Sequence, residues 1–336
     1  MEMNSGSRVA VVTGGSAGVG RAAVRELAER GWNVAILARG EAGTHAAVAE
    51  VEQQGRRGMA IAVDVADAAA VDAAADRVER KLGPIGLWVN VAFVGALKFF
   101  WDTDDATFRR ITDVTYFGQV NGTRTALRLM RPRDDGVIIN VGSALAFRGI
   151  PLQAPYCGAK HAVKGFTESV LSELKSVNSN VKICSVHLPG LNTTQFDWND
   201  NEFDAHPQPV APIFQPETAA RAIAFLAEHP RRTMWVGIST AYTILGNRVA
   251  PWFLDWYLGR TGVKGQLSDA AGPRFGSNVF RAQVAQQDRG AHGMFDDKAH
   301  PRDPWSWASQ RRLPLSVGLV GAAAAAGGLV RAARKD

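Results

Sequence analysis

The chain is poor in cysteine. Cys157 and Cys184 are its two thiols in 336 residues, and they form neither a disulfide framework nor a metal-ligand spacing. Cys157 reads as a small buried filler. A charged-then-apolar leader is also missing, since residues 9–12 already make an apolar run. No secretory signal is therefore expected, and a reducing cytoplasm is. Long runs of one charge are absent. The formal net charge is +6 and the pI about 9.5, but the arginine pairs at 56–57, 109–110, 231–232 and 311–312 are scattered. Such a pattern makes a solvated basic surface, and no nucleic-acid partner is expected. What is present in quantity is apolar: 46% hydrophobic residues against 21% charged, enough for a core and too much for wholesale disorder. The length fits one large domain with an appendage, or two small ones.

Short aliphatic runs at 9–13, 34–39, 59–65, 85–92, 137–142, 181–187 and 234–237 alternate with Ala-rich helical stretches. The helices are expected at 19–30, 42–54, 67–82, 104–130, 156–176 and 216–228. Most runs are uniformly apolar, as in parallel strands covered on both faces. Gly31 marks the end of the first helix, Asp67 a helix N-cap and Pro216 the start of the last helix. The alternation predicts an α/β fold, an open doubly wound parallel sheet with a C-terminal extension. Such sheets bind ligands beyond the carboxyl ends of their strands. The glycine-rich turn 13–20, Asn90, Ser143 and Pro189-Gly190 all fall there.

Ser143, Tyr156 and Lys160 form the constellation that carries chemistry. Tyr156-x-x-x-Lys160 places a phenol and an ammonium one helical turn apart on one face. A free phenol titrates near 10, so acid–base work near neutrality needs a lowered pKa, which a neighbouring cation favours. A fall of ~3 units takes about 4 kcal/mol, within reach when a bound cofactor's positive ring assists Lys160.

Thr13-Gly14-x-x-x-Gly18-x-Gly20, Asn90-Val91-Ala92, Ser143, Tyr156-x-x-x-Lys160 and Pro189-Gly190 together resemble the short-chain dehydrogenase/reductase family, over roughly residues 8–240. The resemblance implies a Rossmann-like domain over 1–240 binding a nicotinamide dinucleotide. Gly14, Gly18 and Gly20 would let backbone approach a pyrophosphate at a helix N-terminus. By the same resemblance Ser16 and Val19 line that turn, Asp64-Val65 hold the adenine, and Asn90 and Ala92 follow the cofactor across the sheet. Thr194 contacts it from the loop after Pro189-Gly190, with Thr193 a close alternative. After the second strand the chain offers Arg39 and no carboxylate until Glu41. A guanidinium suits a 2′-phosphate, so NADP is expected, with NAD as the alternative. The implied reaction is hydride transfer between NADP(H) and a hydroxyl or carbonyl group. Tyr156 acts as acid or base, Lys160 lowers its pKa and binds the ribose, and Ser143 holds the substrate oxygen. A silent dinucleotide-binding regulator, or an isomerase or dehydratase that retains its cofactor, are the alternatives. A homodimer through the helices at 104–130 and 156–176 is also implied.

Two positions depart from the family pattern. Thr115 stands where many relatives carry an asparagine that supports a water path to the lysine, and Phe93 replaces a glycine near the cofactor. The loop carrying Gln195-Phe196-Asp197-Trp198, Pro207, Pro209, Pro212 and Phe214 is expected to be a lid. With Phe147, its aromatic residues point to a hydrophobic substrate. Residues 241–260 are expected to form an aromatic helix pair packed on the core or a second subunit. Residues 261–312 are expected to be irregular or disordered. The tail 313–336 holds an apolar run, 313–330, between basic residues, where membrane contact and docking on protein are both open readings.

Overall fold

The computed structural model describes residues 8–311 apart from residue 284. Seven parallel strands form the central sheet: β1 (Val9–Thr13), β2 (Asn33–Ala38), β3 (Gly58–Ala62), β4 (Ile85–Asn90), β5 (Val137–Ser143), β6 (Lys182–Leu188) and β7 (Thr233–Trp235). Their order is β7-β6-β5-β4-β1-β2-β3. The chain therefore winds outwards in both directions from β1/β4, which stay paired through Thr13 and Asn90, and the connections leaving their carboxyl ends run to opposite sides and open a crevice.

Each face of the sheet is closed by its own layer. On one side lie α1 (Gly18–Glu29), α2 (Glu41–Gln53) and α7 (Pro216–Glu228), whose Ala22, Ala23, Leu27, Val51 and Ile223 pack on Val12, Ile36 and Val186. On the other lie α3 (Ala68–Leu82), α5 (Gly118–Met130) and α6 (Ala154–Ser176). Their Val71, Ala75, Val78, Met130 and Leu174 meet Val11, Leu37 and Ile138. The many alanines let these helices approach the sheet closely, and each fully buried leucine contributes about 1.5–3 kcal/mol. Asp67 caps α3 by accepting from the Ala70 N–H at 3.0 Å, and Gly31, at φ 90°, turns the chain after α1.

The expected helix over 104–130 is two helices joined by a wide turn. After α4 (Asp105–Thr112), residues Asp113–Phe117 form one π-helical turn before α5. Such turns insert a residue into the ladder and gather at functional sites.

Beyond β7 come α8 (Ile238–Val249), α9 (Pro251–Thr261) and α10 (Pro304–Gln310). The stretch between α9 and α10 has little regular structure but is packed rather than loose, and α10 itself lies within the range 261–312. Val279 and Phe295 are buried, Ala299-His300 pair with Ile213-Phe214, and Leu267-Ser268 pair with His206-Pro207. Among the described residues, no helix is long and apolar enough to cross a membrane. The tail 313–336, with Arg312 before it, lies outside the described residues.

Candidate active site

The turn from β1 into α1 is a cradle made of backbone. Gly14 and Gly18 have φ of 71° and 54°, where a side chain is strained. A Cβ on Gly20 would stand 2.1 Å from the Gly14 carbonyl oxygen, and one on Gly14 would stand 2.7 Å from the Ala92 Cα. No side chain caps the first turn of α1; the Gly290 carbonyl takes the Gly18 N–H at 3.1 Å, and the positive end of the helix dipole still faces the crevice as an anion site. These features fit a pyrophosphate. Gly20→Ala is expected to overpack the turn by about 1–3 kcal/mol and to weaken dinucleotide binding by roughly tenfold or more. Titration calorimetry giving an unchanged affinity would show that the turn does not hold the nucleotide.

A cavity of about 450 Å³ runs from this cradle across the carboxyl ends of the strands. Gly14, Ser16, Gly18, Val19, Gly20, Arg39, Asp64, Val65, Ala92, Ser143, Tyr156, Lys160 and Thr194 all line it, and so does Thr193. The Thr194 hydroxyl is buried without a hydrogen-bond partner among the described residues, a donor free to meet a ligand. Asn90 is placed differently. Its side chain is turned into the core, donating to Asn140 Oδ1 at 2.8 Å and Thr123 Oγ1 at 3.2 Å and accepting from Trp88 Nε1 at 2.8 Å. It supports the floor of the cleft and does not line it.

Ser143 ends β5 and accepts from the Leu145 N–H at 3.1 Å. Tyr156 lies in the first turn of α6 and Lys160 one turn on, which aims both at the mouth of β5. The Lys160 ammonium donates to the Val141 carbonyl at 2.7 Å. It sits 5.6 Å from the Tyr156 ring centre and 5.8 Å from that of Phe93, and the two rings meet edge to face at 5.6 Å. Phe93 is thus part of the cleft wall, packed on the tyrosine.

Electrostatically the site differs from expectation. Burial pushes the Tyr156 phenol well above its ordinary value, opposed by a hydrogen bond from Ser143. Burial brings Lys160 down to about 7. The protein's own groups therefore keep the phenol protonated near neutral pH, and Lys160 alone does not lower it. A lysine with its folded pKa depressed below the unfolded 10.5 binds fewer protons folded than unfolded between those values, so its contribution to stability rises with pH there. Between pH 7 and 9 the wild type should gain about 2–3 kcal/mol relative to Lys160→Met. Urea unfolding of both proteins at the two pH values checks this, and a constant difference would contradict it.

Thr115 sits in the π-helical turn with its hydroxyl already used, donating to the Val94 carbonyl at 3.1 Å and accepting the Val94 N–H at 3.3 Å. Its role here is to pin the strand-end segment that carries Phe93.

At the end of the cleft lined by Arg39 and Asp64 the C-terminal extension crosses it, a contact that sequence patterning did not reveal. Arg39 donates to the carbonyls of Asn278 at 2.5 Å and Val279 at 3.2 Å. The Gly18 N–H donates to the Gly290 carbonyl at 3.1 Å, and Arg21 bonds Asp288 at 3.0 Å. Val279 packs with Val65, Ile111 and Val114. Asp64 is ion-paired to Arg110; burial opposes this, but the Arg110 hydrogen bond and its charge hold the carboxyl below its ordinary range. Burial, then the charge of Arg110, draws Arg39 below its usual value.

Phe196, Trp198, Pro209 and Val210 of the expected lid also wall the cavity, with Tyr242, Leu254, Tyr257 and Leu258 from α8 and α9. Phe147 and Phe214 do not line it. Phe214 is in the core, and Phe147 packs on His187 with ring centres 4.7 Å apart.

Residues 8–205 match the family model described as short chain dehydrogenase. YxnA of Bacillus subtilis, an uncharacterized oxidoreductase, is 30% identical over 288 residues, covering 85% of this chain and 81% of that one. A short-chain dehydrogenase/reductase from Burkholderia phymatum, solved in complex with NAD, superposes with a TM-score of 0.66 at 22% identity, over 79% of this chain and 98% of its own. An alcohol dehydrogenase from Thermococcus sibiricus, complexed with 5-hydroxy-NADP, gives 0.61 at 21% identity, over 68% and 96%. With the parallel sheet, the glycine cradle and the Ser-Tyr-Lys cluster in place, these similarities make the chain a member of the short-chain dehydrogenase/reductase family, an NAD(P)-dependent oxidoreductase.

Proposed function

We propose that the protein transfers a hydride between NADP(H) and the carbonyl or hydroxyl group of an apolar substrate, with Tyr156 as the acid–base group. The observation that carries this reading is the convergence of Ser143, Tyr156 and Lys160 on one cleft with the Gly14–Gly18–Gly20 cradle. The cradle and Thr194 hold the pyrophosphate and its neighbouring groups, and Lys160 binds the nicotinamide ribose. The nicotinamide, when bound, supplies the hydride and, in its oxidised form, a positive ring that favours the phenolate. Ser143 positions the substrate oxygen beside the Tyr156 hydroxyl. A phenol held protonated near neutral pH is the form that carbonyl reduction requires, since the acid must give its proton to the developing alkoxide. Phe93, Phe196 and Trp198 exclude water and favour an apolar group at the carbonyl.

Arg39, with no acidic residue at the end of β2, supports NADP over NAD. Two of its N–H groups are engaged by the extension and the rest remain for a 2′-phosphate. Association as a homodimer through α4–α6 is part of the proposal. Phe117, at the end of the π-helical turn, is 48% exposed on that side.

The test is a screen of ketones, aldehydes and secondary alcohols, with NADPH or NADP followed by nicotinamide absorbance. Stoichiometric cofactor oxidation with loss of a carbonyl supports the reading. Substrate conversion without net cofactor change would instead indicate an isomerase or dehydratase that keeps its dinucleotide beneath the 278–290 strap.

A further inference from the structure

The α8–α9 hairpin leaves an aromatic surface uncovered, of which Tyr257 also lines the cleft while Trp252, Phe253 and Trp256 do not. Helix α9 has no buried residue. Trp252 is 71% and Trp256 52% exposed, with Phe253, Tyr257, Leu245 and Val249 also open to solvent. Trp252, Phe253, Trp256 and Tyr257 recur at i, i+1, i+4 and i+5, one stripe of the helix. Phe253 lies nearly parallel to Trp256 at 5.7 Å and to Tyr257 at 6.2 Å between ring centres, so the stripe is a broad slab of rings. A contiguous apolar patch of this kind marks an interaction surface.

We infer that this hairpin is a docking surface for an anionic lipid bilayer, lying flat in the headgroup region with the cleft opening behind it. Composition favours lipid: Trp and Tyr are the side chains enriched at membrane–water interfaces, where an apolar body and a polar tip are both satisfied. Charge favours it too. Arg248, Arg260 and Lys264, on the hairpin and just after it, are exposed. The Arg260 guanidinium lies 4.5 Å over the Trp256 ring, which fixes a positive charge at its edge. The one carboxylate of the hairpin, Asp255, is neutralised by Arg148 at 2.5 Å. At 12 and 11 residues, the helices reach about 18 Å, short of the ~30 Å hydrocarbon core, so they would lie in the interface as amphipathic elements do. Tyr242, Leu254, Tyr257 and Leu258 of the same hairpin line the cleft. A second copy seated on this surface would obstruct the mouth, whereas a fluid bilayer leaves it open to apolar molecules dissolved in the lipid.

The test is co-sedimentation of the full-length protein with vesicles of phosphatidylcholine and phosphatidylglycerol, and of phosphatidylcholine alone. Binding is expected, and stronger on the anionic vesicles. Trp252→Glu/Trp256→Glu should weaken it at least about tenfold, because two aromatic anchors are lost, while thermal midpoint and dinucleotide affinity stay at wild-type values. Should that variant misfold, Arg260→Glu/Lys264→Glu reads the same surface, with at least about tenfold weaker binding to anionic vesicles and unchanged binding to neutral ones. Wild-type protein that stays in the supernatant would overturn the inference. So would aromatic or basic variants that bind like wild type, the result expected if the 313–330 segment made the contact. A fall in oligomeric state by light scattering in the aromatic variant, without loss of vesicle binding, would assign the surface to a second copy and overturn it equally.

Discussion

Tyr156→Phe is expected to bind dinucleotide with wild-type affinity and to lose about 10²–10⁴-fold in turnover, the usual cost of removing a positioned acid–base group. The ring keeps its edge-to-face contact with Phe93 and its place 5.6 Å from the Lys160 ammonium, so the wall of the cleft is unchanged. What goes is a single hydroxyl that crowding by protein keeps protonated and that Ser143 meets with a hydrogen bond. Removing one partner of that bond leaves the Ser143 hydroxyl without it, a cost of about 1–3 kcal/mol in stability. Dinucleotide titration, thermal unfolding and steady-state rates on the purified variant separate these effects. Turnover close to wild type, with the fold intact, would remove Tyr156 from the chemistry.

Arg39→Asp should shift the preference from NADP towards NAD. Losing a charge-assisted contact to the 2′-phosphate costs about 1.5–3 kcal/mol, or roughly ten- to a hundredfold in the ratio of kcat/KM values. The introduced carboxylate adds repulsion of the phosphate and accepts from ribose hydroxyls. Arg39 has a second task, holding the Asn278 and Val279 carbonyls, and the two tasks are separable. Loss of the strap contact weakens both nucleotides alike, whereas loss of the phosphate contact changes their ratio. Arg39→Ala therefore provides the reference, and its NAD affinity measures the strap. An unchanged ratio in Arg39→Asp would mean that another group reads the 2′ position.

The sheet was legible because most of its strands are apolar runs, as parallel strands covered on both faces are, although Asn140 interrupts β5 and Ser185 and His187 interrupt β6. The strand ends differ from expectation by one to a few residues, where the apolar run outlasts the ladder: the third run continues to Val65, but β3 stops at Ala62. The placing of Tyr156 and Lys160 side by side in the cleft was legible because they are one helical turn apart, a local relation. Asn90 was not read correctly from its place at a strand end. Its turn into the core depends on Asn140 lying directly across from it in the β4–β5 register, a long-range fact. The strap was invisible for the same reason. The bonds Gly18–Gly290, Arg21–Asp288 and Arg39–Asn278 join residues hundreds of positions apart through single contacts, and no periodicity announces them. The aromatic face of α9 could be read as a stripe, but a stripe does not say whether it faces core or solvent. That depends on α8, which buries only Thr240, Ala241 and Ile244 and leaves α9 outside.

The most direct measurement of the central claim is transfer of label from the cofactor. The full-length enzyme is incubated with NADPH carrying deuterium at the nicotinamide C4 position and with a carbonyl compound that it consumes, and the alcohol is analysed by mass spectrometry. The expected result is one deuterium on the new carbinol carbon from one face of the nicotinamide, with the hydroxyl proton drawn from solvent through Tyr156. An alcohol formed without deuterium from either labelled face, or conversion with no oxidised cofactor, would contradict hydride transfer in this cleft.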